Sequence, residues 1–277
     1  MKKLFAFVFL AICCYTSISA QTLKGRVVEA GTNKPVEFAS IGILNREAGT
    51  VANEQGYFQF VPKAASTSDT VQISLIGYKN FTTSVQKFES LLAHNNGVIS
   101  LQPEVRNLQE VVIKPRQTKT LITGNTTDTR TISAGFASND LGSEVGTVLR
   151  YKKKKPGRLE NVNFNIAYNS FPDQLLFRVN IYDYQNGRIG ESLLTEPLYL
   201  ETMISSGTLS LDLSEKNIYV SRDCFISLEW IKDFGKQGLM FSAGFFNSDS
   251  YSRKISQGKW SKSPAGLGFW ATVEHEI

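Results

Sequence analysis

Apolar and polar residues alternate with a period of two along most of this chain. Val71, Ile73 and Leu75 are separated by Gln72 and Ser74, and Phe177, Val179 and Ile181 by Arg178 and Asn180. Leu209, Leu211 and Leu213 enclose Ser210 and Asp212 in the same way. Successive side chains of a strand point to opposite faces, so each segment offers one apolar face to a core and turns one polar face away. Clusters of Gly, Asn, Asp and Ser cut the pattern into short lengths. That combination predicts an all-β protein, and 277 residues are enough for two β-sandwiches of ordinary size.

The first twenty residues break the rhythm. Lys2 and Lys3 precede an apolar run from Leu4 to Ile12, and the segment finishes at the small-residue sequence Ser17-Ile-Ser-Ala20. This is the arrangement of a secretory signal peptide, residues 1–20, cleaved after Ala20. The run is about half the roughly 20 residues that a spanning helix needs. A lipoprotein reading through Leu10-Ala-Ile-Cys13 is weaker, because bulky Ile12 stands where a small residue is wanted. No later run is apolar enough for a transmembrane helix, and peripheral association of the exported chain with a membrane stays open. Loss of Lys2 and Lys3 takes the formal charge from +5 to +3, too slight a bias to argue for nucleic acid. With Cys13 and Cys14 in the leader, Cys224 is left without an intramolecular disulfide partner, so stability has to come from hydrophobic cores.

Residues 21–113 carry a recognisable set of pieces in order. They are Leu23-Lys-Gly-Arg-Val-Val28, Lys34-Pro-Val-Glu-Phe-Ala-Ser-Ile-Gly-Ile43, Gly49-Thr-Val-Ala-Asn-Glu-Gln-Gly-Tyr-Phe-Gln-Phe60, Val71-Gln-Ile-Ser-Leu-Ile-Gly-Tyr78 and Leu108-Gln-Glu-Val-Val-Ile113. Their turns have physical reasons: Pro35 presets φ after Asn33-Lys34, Gly56 is free to take positive φ before an aromatic strand, and Gly77 permits a bend before Tyr78. A short helical turn is expected at Phe88–Ala93. Together the pieces resemble the carboxypeptidase regulatory-like domain, a transthyretin-like (prealbumin-like), seven-stranded sandwich common in Gram-negative envelope proteins. Despite its name, that domain is not catalytic. In large outer-membrane receptors it precedes a plug and barrel, and Leu108–Ile113 looks like its end there; the residues after 113 are too few for such a barrel. The resemblance implies location in the periplasm or at the outer membrane; an envelope protein or surface polysaccharide is the expected partner.

Residues 114–131, rich in Thr, Lys and Arg, read as a linker or an extended edge segment. Residues 132–277 should form a second, jelly-roll-like sandwich. Its clearest strands are Val162–Tyr168, Leu175–Tyr184, Gly207–Leu213, Cys224–Ile231, Leu239–Phe246 and Phe269–Val273. Asn186-Gly187 suits a type I′ hairpin turn.

Catalytic chemistry finds little footing in these residues. A catalytic zinc wants three protein ligands, whereas only His94 and His275 exist, and neither begins a His-x-x-Glu pair. A serine triad would need one of the same two histidines, and Gly-x-Ser-x-Gly is absent. Cys224 lies in the apolar strand Cys224–Trp230 and should be a buried hydrophobe without an activating partner. Gly142-Ser-Glu-Val-Gly146 lacks the ending of a phosphate loop and is read as a turn. A glycosidase needs two carboxylates, and the sequence gives no means of pairing those of the second half, among them Glu144, Asp173, Asp183, Glu191 and Glu229, across strands; most are expected on solvent faces. Asp173 and Asp183 are candidates for a structural calcium, without the oxygen-rich run of an EF-hand. Lys152–Lys155 reads as a solvated loop.

Aromatic residues offer the better binding hypothesis, because sugar rings stack on flat apolar faces that lose little entropy when fixed. Period-two counting puts Trp230 with Leu228 and Ile226 in the core. Trp260 sits in the polar loop Gln257–Lys262 and should be exposed, so Trp260, its neighbour Lys259, and Tyr251 are the candidate ligand-binding residues. The expectation is therefore an exported, non-catalytic envelope binding or assembly module needing no cofactor. A glycan-binding accessory protein is the alternative, and a small outer-membrane barrel ranks last.

Overall fold

The computed structural model of the protein describes residues 22–104, 117–233, 235, 238–245 and 249–277. The expected signal peptide and the Leu108–Ile113 motif lie outside the described residues. No described helix is long and apolar enough to cross a membrane.

The first sandwich contains β1 (Leu23–Glu29), β2 (Ser40–Ile43), β3 (Gly49–Val51), β4 (Tyr57–Phe60), β5 (Thr70–Ser74), β6 (Phe81–Ser84) and β7 (Val98–Leu101). They form a three-stranded sheet, β4-β1-β7, and a four-stranded sheet, β3-β2-β5-β6. All pairs are antiparallel except β1 with β7. Alternation delivers Val27, Ile41, Ile43, Val71 and Ile73 to the core between the sheets. The short helical turn expected at Phe88–Ala93 is a full helix, α1 (Val85–His94). Val85, Phe88 and Leu92 fall on one buried face, and Ser84 Oγ caps the start by accepting from the Lys87 amide at 3.3 Å. At the Asn53–Gly56 turn Gly56 takes φ +78°, and a Cβ there would stand 2.4 Å from the Val27 carbonyl oxygen.

The second sandwich begins earlier than its expected boundary at 132. β8 (Thr118–Gly124) pairs with the last strand, so this part of the 114–131 span is an edge strand and not a linker. After it come β9 (Ser133–Gly135), β10 (Glu144–Leu149), β11 (Gly157–Asn169), β12 (Leu175–Gln185), β13 (Arg188–Ser192), β14 (Leu198–Thr202) and β15 (Gly207–Asp212). The remainder are β16 (Tyr219–Val220), β17 (Cys224–Trp230), β18 (Leu239–Gly244), β19 (Ser250–Arg253), β20 (Ser261–Lys262), β21 (Gly266–Leu267) and β22 (Phe269–Glu276). One sheet runs β21-β18-β11-β22-β8, and the other β13-β12-β17-β10-β19-β20.

Among the long strands, β8-β22-β11-β18 have the neighbour order of a jelly roll. The facing sheet departs from it, because β17 lies against β10 where a jelly roll would set β19 against β12. The Gly142–Gly146 stretch is only partly the expected turn: Gly142 turns with φ +86°, and Glu144 already opens β10. Asn186 and Gly187 take φ 49° and 76°, the I′ signature, between β12 and β13. Trp230, Phe164, Phe177, Phe241 and Phe269 point into the space between the sheets, so the second half closes on a packed core and not on a lumen.

The two sandwiches are docked. Gly42 and Gly49 face each other across β2 and β3, and a Cβ on either would stand 2.4 or 2.5 Å from the Ser256 carbonyl oxygen of the second sandwich. Beside them the Asn45 amide donates to the Gln257 carbonyl at 2.9 Å, and Gln257 Nε2 donates to Ser74 Oγ at 2.8 Å. Phe38 and Val51 bury an apolar patch with Ile231. Gly42→Ala should therefore force a backbone shift at the junction and cost about 1–3 kcal/mol, the range for overpacking a tight site. Urea unfolding of the variant checks this, and a loss near zero would show the junction to be looser than described.

Candidate functional site

Register across the second sandwich's outer face builds the site. Arg178 on β12 is paired with Glu229 on β17, Glu229 with Glu144 on β10, and Glu144 with Arg253 on β19. One cross-strand row thus reads plus, minus, minus, plus. Carboxylates placed side by side repel, and the structure answers that repulsion with shared donors. Arg178 Nε and Nη2 donate to Glu229 Oε2 at 3.0 and 2.8 Å. Arg253 Nη2 meets Glu144 Oε2 at 2.5 Å. Asn180 Nδ2 bridges Glu144 Oε1 and Glu229 Oε2, both at 2.9 Å.

The first sandwich covers this row. Arg178 Nη1 donates to the Phe38 carbonyl at 2.7 Å, and Ser40 Oγ donates to Glu229 Oε1 at 3.1 Å. Glu144 is 0% and Glu229 1% exposed, so the expectation of solvent-face carboxylates fails at these two. Burial pushes the Glu229 carboxyl up, but Arg178 and then Arg253 outweigh it and hold it below its ordinary value.

Next along the same face come Tyr182 and Phe225, paired across β12 and β17, and Trp260. Trp260 is not the freely exposed residue its polar loop suggested. It is half-buried, with its ring edge-on to Phe225 at 5.2 Å and the Arg253 guanidinium over it at 4.9 Å. Burial, then Glu144, keep the Tyr182 hydroxyl well above its usual titration range, so it remains a donor.

Between this face and the first sandwich lies a cleft of about 290 Å³. Ser40, Gln72, Ser74, Tyr78 and Asn80 line it from one side, and Arg178, Asn180, Tyr182, Glu229, Arg253, Gln257 and Trp260 from the other; β13 contributes Ile189–Ser192. A wider depression of about 800 Å³ beside Arg26 and Tyr57 gathers no buried charge and is lined mainly by the first sandwich. The junction cleft, with convergent polar groups and one aromatic face, is the better site.

Of the three candidate ligand-binding residues, Trp260 alone lines the cleft, and of the carboxylates singled out in the sequence Glu191 and Glu229 do. Tyr251 sits on the same face with its hydroxyl 2.9 Å from that of Tyr184, and Lys259 is exposed outside the lining. Asp183 pairs with Arg222 at 3.1 Å. Among the described residues no group of three or more His, Cys, Asp or Glu could hold a metal ion. Burial pushes the Cys224 thiol up to about 12, which leaves it a packing residue. Lys152–Lys154 are exposed, and Lys155 reaches Glu276 at 2.9 Å.

These features define an all-β chain of two docked sandwiches with a polar cleft at their junction. Residues 23–113 match the family model of the CarboxypepD_reg-like domain, and the first sandwich is a domain of that family. No curated protein matches the chain.

Proposed function

We propose that this protein is an exported, non-catalytic binding module of a Gram-negative cell envelope, and that the junction cleft is its binding site. The observation that carries this reading is the charged row: both of its carboxylates are buried and engaged by arginine or amide donors. A general acid or nucleophile has to be free to take or give a proton or to attack. Glu144 and Glu229 are instead committed to holding the two sandwiches and the cleft in place. The regulatory-like domain supports the envelope setting, and the basic, apolar and small-residue order of residues 1–20 supports export.

A thermal-shift screen of residues 21–277 against polysaccharide digests and envelope extracts tests the binding role. A ligand at a hundredfold over its Kd stabilises the native state by about 2.7 kcal/mol. The shift should vanish in Trp260→Ala, and chromatography of the same mixtures should show no new products. Turnover of any component would overturn the non-catalytic reading. N-terminal sequencing of the exported chain should begin at Gln21, and an intact Met1 would remove the export argument.

An assembly role is favoured by one observation. β13 ends its sheet, and its outer edge has no strand partner among the described residues, so a partner strand could add there. Capture of an envelope protein with no ligand shift in the screen would select this role.

A further inference from the structure

We infer that the junction cleft receives the end of a neutral saccharide, one or two rings deep, with Trp260 as the stacking surface. This rests on the binding reading above and names its ligand class. Size comes first. A volume of about 290 Å³ lies at the small end of ligand sites. That admits a ring or two, closed in by two sandwiches, and does not suit a long polymer laid along an open face.

Charge decides the class. Both cleft arginines face carboxylates, Arg178 on Glu229 at 2.8 Å and Arg253 on Glu144 at 2.5 Å. Glu191, exposed on β13, is the other ionic lining residue. An anionic guest would find the positive charge already neutralised, and a cationic guest would find Glu229 already paired and only Glu191, exposed on β13, to meet it. Burying either without a partner is costly.

The polar lining suits hydroxyls instead. Gln72, Asn80 and Ser192 carry groups that both donate and accept, as each sugar hydroxyl does, and Asn180, its amide hydrogens committed to the two carboxylates, offers its Oδ1. Trp260 is held in one orientation by Arg253, Phe225 and Tyr182, so stacking on it needs little further ordering.

The test is a titration of residues 21–277, followed by tryptophan fluorescence and calorimetry. The probes are glucose, galactose, mannose, N-acetylglucosamine, a disaccharide of each, glucuronate and galacturonate. At least one neutral probe should bind saturably, with affinity indifferent to salt. That affinity should fall at least tenfold in Trp260→Ala and in Gln72→Ala, which alter opposite sides of the cleft, and less in Trp260→Phe, which keeps a stacking ring. Binding of uronates alone would overturn the neutral-saccharide inference and leave the binding reading standing. So would a non-sugar hit in the thermal-shift screen that is lost in Trp260→Ala. Failure of every probe to bind, or binding unchanged in both alanine variants, would also overturn it.

Discussion

Glu229→Ala should cost the folded chain about 3–5 kcal/mol, because it removes one partner of a buried ion pair and leaves the other in place. Arg178 is 3% exposed and donates twice to Glu229, and Asn180 and Ser40 lose an acceptor in the same step. The rim offers a contrast. Lys232 and Glu54 also join the two sandwiches, at 3.0 Å, but their side chains are 48% and 50% exposed, so Glu54→Ala should cost under about 1 kcal/mol. Changing Arg178→Met together with Glu229→Leu leaves neither charge stranded and should cost less than Glu229→Ala alone. Urea unfolding of the variants separates these cases, and equal losses for Glu54→Ala and Glu229→Ala would contradict the buried-row account.

The same carboxyl sets an acid limit. Its folded-state pKa lies below the ordinary value, so its contribution is fully present above the unfolded-state pKa of about 4.3 and is lost as pH falls through the folded value. Below that window both states hold the proton and the contribution is gone. Stability of the unaltered chain should therefore decline on the acid side more steeply than that of Glu229→Gln, which has no proton to take up.

Trp230→Ala should cost a similar 3–5 kcal/mol for a different reason, the loss of a large buried side chain and the cavity left behind. Trp230 is 1% exposed and packs its ring against Phe136, Phe171 and Phe177 at 5.2, 5.4 and 5.4 Å. Three aromatic neighbours fixed on separate strands and loops cannot collapse far into the space. Trp230→Phe keeps most of the volume and should lose less. Denaturant midpoints at constant slope are the check, and a loss below about 1 kcal/mol for the alanine variant would mean that the core relaxes freely.

Much of this fold was legible because strands announce themselves by alternation. Counting in twos puts Ile226, Leu228 and Trp230 in the core, and they are there. Asn186-Gly187 named its own hairpin. What alternation does not say is what covers the other face. Arg178 and Asn180 alternate with Phe177, Val179 and Ile181 and so read as a solvent face; the first sandwich lies over them, through contacts to Phe38 and Ser40 some 140 residues away in the chain. One signal was present: Phe225 shares that face with Ser227 and Glu229, and β17 is buried on both sides. Thr118–Gly124 went the other way. An edge strand with one buried side chain, Thr123, carries almost no apolar pattern, so its sequence fits a linker as well as the edge segment that it is. Trp260 stands out in the sequence for its polar loop, yet it lines the cleft because that loop folds back onto Phe225 and Arg253.

The claim on which the rest depends is that the two sandwiches form one body with the cleft built at their junction. Differential scanning calorimetry of residues 21–277 tests it most directly. One transition is expected, with calorimetric and van't Hoff enthalpies in agreement, splitting into two in Glu229→Ala. Two independent transitions in the unaltered chain would contradict it.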